Sequence, residues 1–156
     1  MSAAAVVHGG APSEPGTRDG CERALQAALS VLSQKQAREA GPEVARTQAV
    51  IRAAVAAIVV LEDDGRFNAG SGANIRLDGS TVQMDAAVAG SDGCFGGVAA
   101  IEDVSNPVMV AERVLATPHM LLAGAGAIEF ARRQGLSTGM LSRSKRAVVM
   151  RSSGSA

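Results

Sequence analysis

The sequence predicts a layered α+β domain, and three observations lead there. Apolar residues recur at helical spacing over 21–32 and again over 51–59. Between 75 and 101 lie loosely alternating apolar segments divided by Asp78-Gly79 and by Ser91-Asp92-Gly93, a pattern of short strands joined by tight turns. The only aromatic residues among 156 are Phe67, Phe95 and Phe130, so any core must be built from Val, Ile, Leu, Met and Ala. Such side chains suit tight helix-on-sheet layers, and a chain of this length is one domain by the usual size prior.

Element by element, residues 3–8 read as a short buried strand ended by Gly9-Gly10. A helix follows with Cys21, Ala24, Leu25, Ala28, Leu29 and Leu32 on one face, Asp19 as N-cap and Gly41-Pro42 as its end. A second helix starts near Pro42 and carries Ile51, Ala54, Val55, Ile58 and Val59 on one face. Its last half is apolar almost all round, which predicts burial on several sides. After a glycine-rich loop over 63–74, residues 75–77 and 81–88 form a predicted hairpin about Asp78-Gly79, and 95–101 a small-residue strand. Asn106 caps a third helix with Pro107 at its first position. Residues 120–123 make a short strand and 124–134 a fourth helix closed by Gly135. The ordered domain is therefore expected over 1–135, with 136–156 as a linker or flexible tail.

Lys plus Arg and Asp plus Glu number 15 each. That balance offers no basic stripe for a phosphate backbone or an anionic membrane, and the scarcity of rings disfavours stacking on single-stranded nucleic acid. The basic residues Arg143, Lys145, Arg146 and Arg151 lie in the tail and read as a solvated end. Cys21 and Cys94 lack metal spacing and read as reduced thiols. The longest apolar run, 53–61, is too short to cross a bilayer, and the start of the chain has no secretory pattern. A soluble, cytoplasmic protein is expected.

Two close-approach loops stand out, His8-Gly9-Gly10 and Phe67-Asn68-Ala69-Gly70-Ser71-Gly72. An esterase oxyanion loop at His8 would need a G-x-S-x-G turn; Ser71 has Gly70 and Gly72 beside it, but Ala69 and Ala73 stand where that motif requires glycine. No phosphate-binding loop occurs, and Gly124-Ala125-Gly126 lacks the third glycine of a dinucleotide fingerprint. His8 and His119 read as structural residues. Asp85, inside an apolar strand, is expected to be buried and to organise neighbouring loops through backbone donors. Residues 61–67 close a helix and turn, so exposed carbonyls there can ring a hard cation with oxygens.

These segments carry a family resemblance. Val7-His8-Gly9-Gly10-Ala11, Leu61-Glu62-Asp63-Asp64 with Phe67 to Gly72, Met84-Asp85-Ala86, Gly96 to Ala100, Asn106-Pro107-Val108 and Thr117-Pro118-His119 with Gly124 to Ala127 occur in order over about residues 5–135. The set resembles the N-terminal (α) part of the plant-type asparaginase and isoaspartyl aminopeptidase family of N-terminal-nucleophile hydrolases. The resemblance implies a four-layer αββα sandwich made from one self-cleaving precursor, of which this chain supplies the α-subunit portion. It implies a nucleophilic threonine at the start of a separate β-subunit, an (αβ)2 heterotetramer, and L-asparagine or β-aspartyl dipeptides as substrates. It places Asn68 beside the active site and the His8-Gly9-Gly10 loop near the cut. It also implies a structural sodium ion held by main-chain oxygens of Leu61, Glu62, Asp64, Phe67, Ala69 and Ser71, and no organic cofactor.

The chain departs from that pattern in one decisive way. None of Thr17, Thr47, Thr81, Thr117 and Thr138 sits in a Gly-Thr-Val-Gly-Ala context, and no catalytic residue is expected in this chain. Pro12 also replaces a glycine common after the first loop. The expectation is an α-subunit inactive without its partner. The alternatives are a truncated, non-enzymatic fragment serving as an interaction protein, or a sibling activity of the glycosylasparaginase or taspase kind.

Overall fold

The structure, a computed structural model, describes residues 4–10, 15–34 and 43–136. A 3-10 turn at Pro15–Thr17 leads into α1 (Arg18–Ser33), and α2 (Glu43–Asp63) runs beside it. The interface between them is made of small side chains: Ala24, Ala28, Ala53 and Ala57 are buried with Leu61 and Phe67 at its end. Alanine at every other contact lets the two backbones approach closely, the usual consequence of small residues on facing ridges. Cys21, Val31, Leu32 and Val60 pack around this cluster.

The sheet has three strands, β1 (Met84–Ala89), β2 (Phe95–Ile101) and β3 (Leu121–Ala123), in that order. β1 pairs antiparallel with β2 through a tight turn, in which the Gly90 N–H donates to the Cys94 carbonyl and the Gly93 N–H to the Gly90 carbonyl. β2 and β3 are parallel, joined by α3 (Pro107–Val114), and α4 (Gly124–Arg133) continues directly from β3. α3 and α4 both cover β2. Val98, Ile101, Val104, Val108, Val110, Ala111, Val114, Ala127 and Ala131 form the fully buried centre, with Ile51 and Val55 of α2 joining them.

α2 thus serves two cores at once, through Ile51 and Val55 on one side and Ala53, Ala57 and Leu61 on another, which explains its nearly continuous apolar last half. The single face read from the sequence needs correcting: Ala54 and Ile58 point outward, because the flanking positions already fill both interfaces.

The sheet is covered on one face only among the described residues. Met84, Ala86 and Val88 point to the helices, while Asp85, Ala87 and Ala89 are exposed. The register puts Ala87 opposite Gly97 and Gly97 opposite Leu121, so Ala87, Ala89, Phe95, Gly97 and Leu121 share the open face. Phe95 and Leu121 flank Gly97 there, and Leu121 keeps 57% of its surface exposed. The three-stranded sheet thus leaves a small-residue, apolar face uncovered among the described residues.

Other expectations are revised. Residues 4–10 form no strand: exposure alternates along them and Ala5 and Val7 pack on the α1–α2 cluster, but no neighbouring strand pairs with the segment among the described residues. A strand needs a ladder partner, which a local apolar pattern does not reveal. Thr17, not Asp19, occupies the α1 N-cap position, without a side-chain cap bond. The predicted hairpin over 75–88 survives as a turn, with the Arg76 N–H donating to the Thr81 carbonyl and the Gly79 N–H to the Arg76 carbonyl, but regular strand begins only at Met84. α4 ends near Gly135, which takes φ +69°, as expected. Leu136 still packs against the core, its N–H donating to the Ala131 carbonyl. The Gly41-Pro42 helix end, Pro12, and the expected flexible tail beyond residue 136 lie outside the described residues.

Candidate active-site loop

The loop from Asp63 to Asn74 is anchored at both ends. Phe67 is 3% exposed, inserted beneath α1 and α2, and this fixes its neighbour Asn68 at the surface. The Asn68 side-chain oxygen accepts the Asn74 N–H at 2.8 Å, which closes the loop on itself. Between those residues the chain makes a 3-10 turn over Gly70–Gly72. Gly70 takes φ +49°, and a β-carbon there would lie 2.6 Å from the Glu62 β-carbon. A β-carbon on Gly72 would collide with the Phe67 carbonyl oxygen and stand 2.7 Å from that of Gly65. Glycine is needed at Gly70 because the loop folds back onto the end of α2, and at Gly72 because the loop closes on its own backbone.

That return brings oxygens together. The Ser71 hydroxyl is 2.9 Å from the Glu62 carbonyl oxygen and 3.1 Å from that of Asp63. The last carbonyls of a helix have no intrahelical partner, so their convergence with a hydroxyl makes an oxygen-rich pocket of the kind hard cations use. Among the described residues, no three His, Cys, Asp or Glu side chains are placed to hold a metal ion. The residues the resemblance names for sodium, Leu61, Glu62, Asp64, Phe67, Ala69 and Ser71, all lie along the α2 end and this fold-back, where the Asp64 carbonyl accepts the Phe67 N–H and the Phe67 carbonyl the Ala69 N–H.

Two arginines form a network that links the loop to α1. Arg66 donates to both Asp64 and Asp19, at 2.6 and 2.8 Å, and to the Gly16 carbonyl; Arg23 bridges Asp19 and Asp64. Arg66 beside it holds the Asp64 carboxyl down at about 2, and the same guanidinium draws Asp19 below the usual carboxylate range. Exposed pairs of this kind add little stability, but Arg66, bidentate to both carboxylates, and Arg23 bridging them define geometry. The sequence reading missed this network, since its partners lie more than forty positions apart.

Glu62 is the other residue whose role the sequence did not announce. It is 3% exposed, and one carboxyl oxygen accepts the Val108 N–H of the first turn of α3 at 3.0 Å. The second oxygen is buried with no hydrogen-bond partner. Burial dominates and pushes the Glu62 carboxyl up to about 7, against the opposing pull of the Val108 N–H. Glu62 therefore caps α3 from a distance. Asn106, expected to be that cap, makes no capping bond and donates its amide to Asp63 at 2.9 Å.

At the first loop, the His8 ring nitrogen Nδ1 accepts the Gly10 N–H at 3.0 Å, and Gly10 takes φ +86°. His8 is exposed, and its chain enters over the same cluster that seats Phe67. Asp85 is exposed in this chain rather than buried. It does organise backbone, as expected: its carboxylate accepts the Ala100 N–H at 2.7 Å. The β1–β2 register slips by one residue there, and Ala100 sits at φ +49° in the bulge.

A concavity of about 440 Å³ opens beside Asn68, with Asn74, Arg76, Asp78 and Gln83 on its walls. Gln83 donates its amide to Glu102 at 2.8 Å. Asp78 is committed to its own turn, accepting from the Ser80 and Thr81 N–H groups and the Thr81 hydroxyl, which draws its carboxyl down to about 2.

Cys21 and Cys94 are free and half-buried. No helix among the described residues is long and apolar enough to cross a membrane.

The family model described as Asparaginase matches residues 1–147. A plant-type L-asparaginase of Pyrococcus horikoshii is 42% identical over 134 residues, covering 85% of this chain and 41% of the relative. An isoaspartyl peptidase/L-asparaginase of Macaca fascicularis is 36% identical over 140 residues, and the human protein of that name 35% identical over 140, each covering 87% of this chain and 42% of the relative. The chain thus spans about two fifths of the length of the curated relatives it matches, and it belongs to the asparaginase family.

Proposed function

We propose that this chain is the α-part of a self-processed asparaginase/isoaspartyl peptidase that hydrolyses the side-chain amide of L-asparagine and the isopeptide bond of β-aspartyl dipeptides. Membership of the asparaginase family through only about two fifths of its relatives' length carries the reading. Relatives bear both the asparaginase and the isoaspartyl peptidase names, which supports both substrates.

In this reading the nucleophile is a threonine at the head of a β-part, and its own α-amine is the base. The hydroxyl proton passes to that amine as oxygen attacks the amide carbonyl. The amine or ammonia departs with a proton, and water then releases aspartate from the acyl-enzyme. This chain contributes position rather than reactivity. The loop closed by Asn68 and Asn74 forms one wall of the site, and the His8-Gly9-Gly10 segment lies near the processing point. The bare sheet face bearing Ala87, Phe95, Gly97 and Leu121 receives the second sheet of an αββα sandwich, in an (αβ)2 assembly. The carbonyls gathered at Ser71 fit a sodium ion, which would brace the loop by replacing water with fixed oxygens. The unpaired cysteines suit a reducing cytoplasm.

The test is hydrolysis of asparagine and a β-aspartyl dipeptide by the protein made from the full reading frame and by residues 1–156 alone. Turnover only by the former supports the reading; turnover by the isolated chain contradicts it.

A further inference from the structure

We infer that the concavity beside Asn68 is a carboxylate subsite, in which Arg76 receives the free carboxylate of the residue attached to the β-aspartyl group. The inference rests on the hydrolase reading above and adds a specificity residue to it.

The walls hold more unspent donors than acceptors. Arg76 is exposed and its guanidinium makes no hydrogen bond among the described residues, its charge acting only at a distance on the Asp78 carboxylate. Asn68 has spent its side-chain oxygen on the Asn74 N–H, which leaves its amide NH2 free to donate. The Asn74 side chain is uncommitted as well. Gln83 has spent its NH2 on Glu102. The one anion on the walls, Asp78, is occupied by the three donors of its own turn. A cavity with one cation free of hydrogen bonds among the described residues and two carboxamide donors suits a small anion bearing an adjacent amide, which describes the leaving half of a β-aspartyl dipeptide. Free asparagine has no such group. The turn holding Arg76 is itself fixed, since the Arg76 N–H donates to the Thr81 carbonyl at 2.8 Å and the Asp78 carboxylate accepts the Ser80 and Thr81 N–H groups.

The experiment compares β-aspartylglycine with β-aspartylglycinamide, which lacks the carboxylate, on the full-length protein, R76Q and R76K. The ratio of kcat/KM for the acid to that for the amide is expected to fall about fivefold in R76Q, through KM, with R76K recovering most of it, as for an accessible ion pair. An unchanged ratio, or equal loss on both substrates, overturns the inference; a merely structural role for Arg76 would give the equal loss. Should the wild-type protein turn over neither substrate, the hydrolase reading fails by itself. Calorimetric titration with β-aspartylglycine then decides the subsite: binding weakened about fivefold by R76Q supports it, and unchanged binding, or none to the wild type, refutes it.

Discussion

Gly72→Ala and Gly126→Ala are the same chemical change with opposite expected signs. At Gly72 the added methyl collides with the Phe67 carbonyl oxygen and stands 2.7 Å from the Gly65 carbonyl oxygen. Both obstacles are backbone, so relief requires opening the turn and stretching the bond from the Gly72 N–H to the Ala69 carbonyl, now 2.9 Å. Overpacking of this kind costs about 1–3 kcal/mol and a weakened hydrogen bond about 1 kcal/mol. The restricted unfolded chain returns about 0.5 kcal/mol, for a net loss of about 1.5–3.5 kcal/mol. At Gly126, in the first turns of α4, the methyl meets nothing within 4 Å. There the helix preference of alanine gives a gain of about 0.5 kcal/mol. Urea unfolding of the full-length protein, followed by circular dichroism, measures both. A Gly72→Ala protein as stable as wild type would refute the claim that the loop is closed tightly on its own backbone at Phe67 and Gly65.

Three further outcomes follow from particular contacts. Glu62 keeps its proton in the fold up to about pH 7, whereas the unfolded chain loses it near 4.5. Its contribution is therefore fully present below about pH 4.5 and declines by up to about 3 kcal/mol as pH rises to 7. E62Q should flatten that part of the urea-midpoint profile between pH 5 and 8, and an unaltered slope would contradict the assignment. D85A should destabilise by about 1–2 kcal/mol by freeing the Ala100 N–H, and A100G, which removes the strain of φ +49°, should recover part of it. A double-mutant cycle with no coupling would separate the two residues. Replacing sodium by choline in the assembled enzyme should lower its melting temperature by a few degrees, roughly 1 kcal/mol on the usual scale, and no change would remove the cation from the account.

Much of this architecture could be read in the chain before any coordinates. The 3.6-residue spacing of Cys21, Ala24 and Ala28, the turn at Asp92-Gly93 and the pair Asn106-Pro107 each encode a local event, and the structure puts an element at each. What escaped was long-range. Residues 4–10 have a strand's apolar pattern but pair with no strand among the described residues. The cap of α3 comes from Glu62, forty-six positions earlier, so inspecting Asn106 and its neighbours could not find it. Arg66 looks like an ordinary loop charge until Asp19 is brought against it. Asp85 was expected to be buried because its neighbours are apolar, yet Met84 and Ala86 turn to the helices while Asp85 points to the face left open in this chain. Asn68 stood out through the family motif; its clamp on Asn74 is visible only in the fold.

The central claim is that this chain forms one layer pair of a hydrolase whose reacting hydroxyl lies elsewhere in the same precursor. The most direct measurement is the intact mass, under native and denaturing conditions, of the protein produced from the full reading frame. The account predicts a complex of this chain with a second polypeptide that begins at threonine. A protein of this chain's mass alone, folded and with Phe95 and Leu121 open to water, would contradict it.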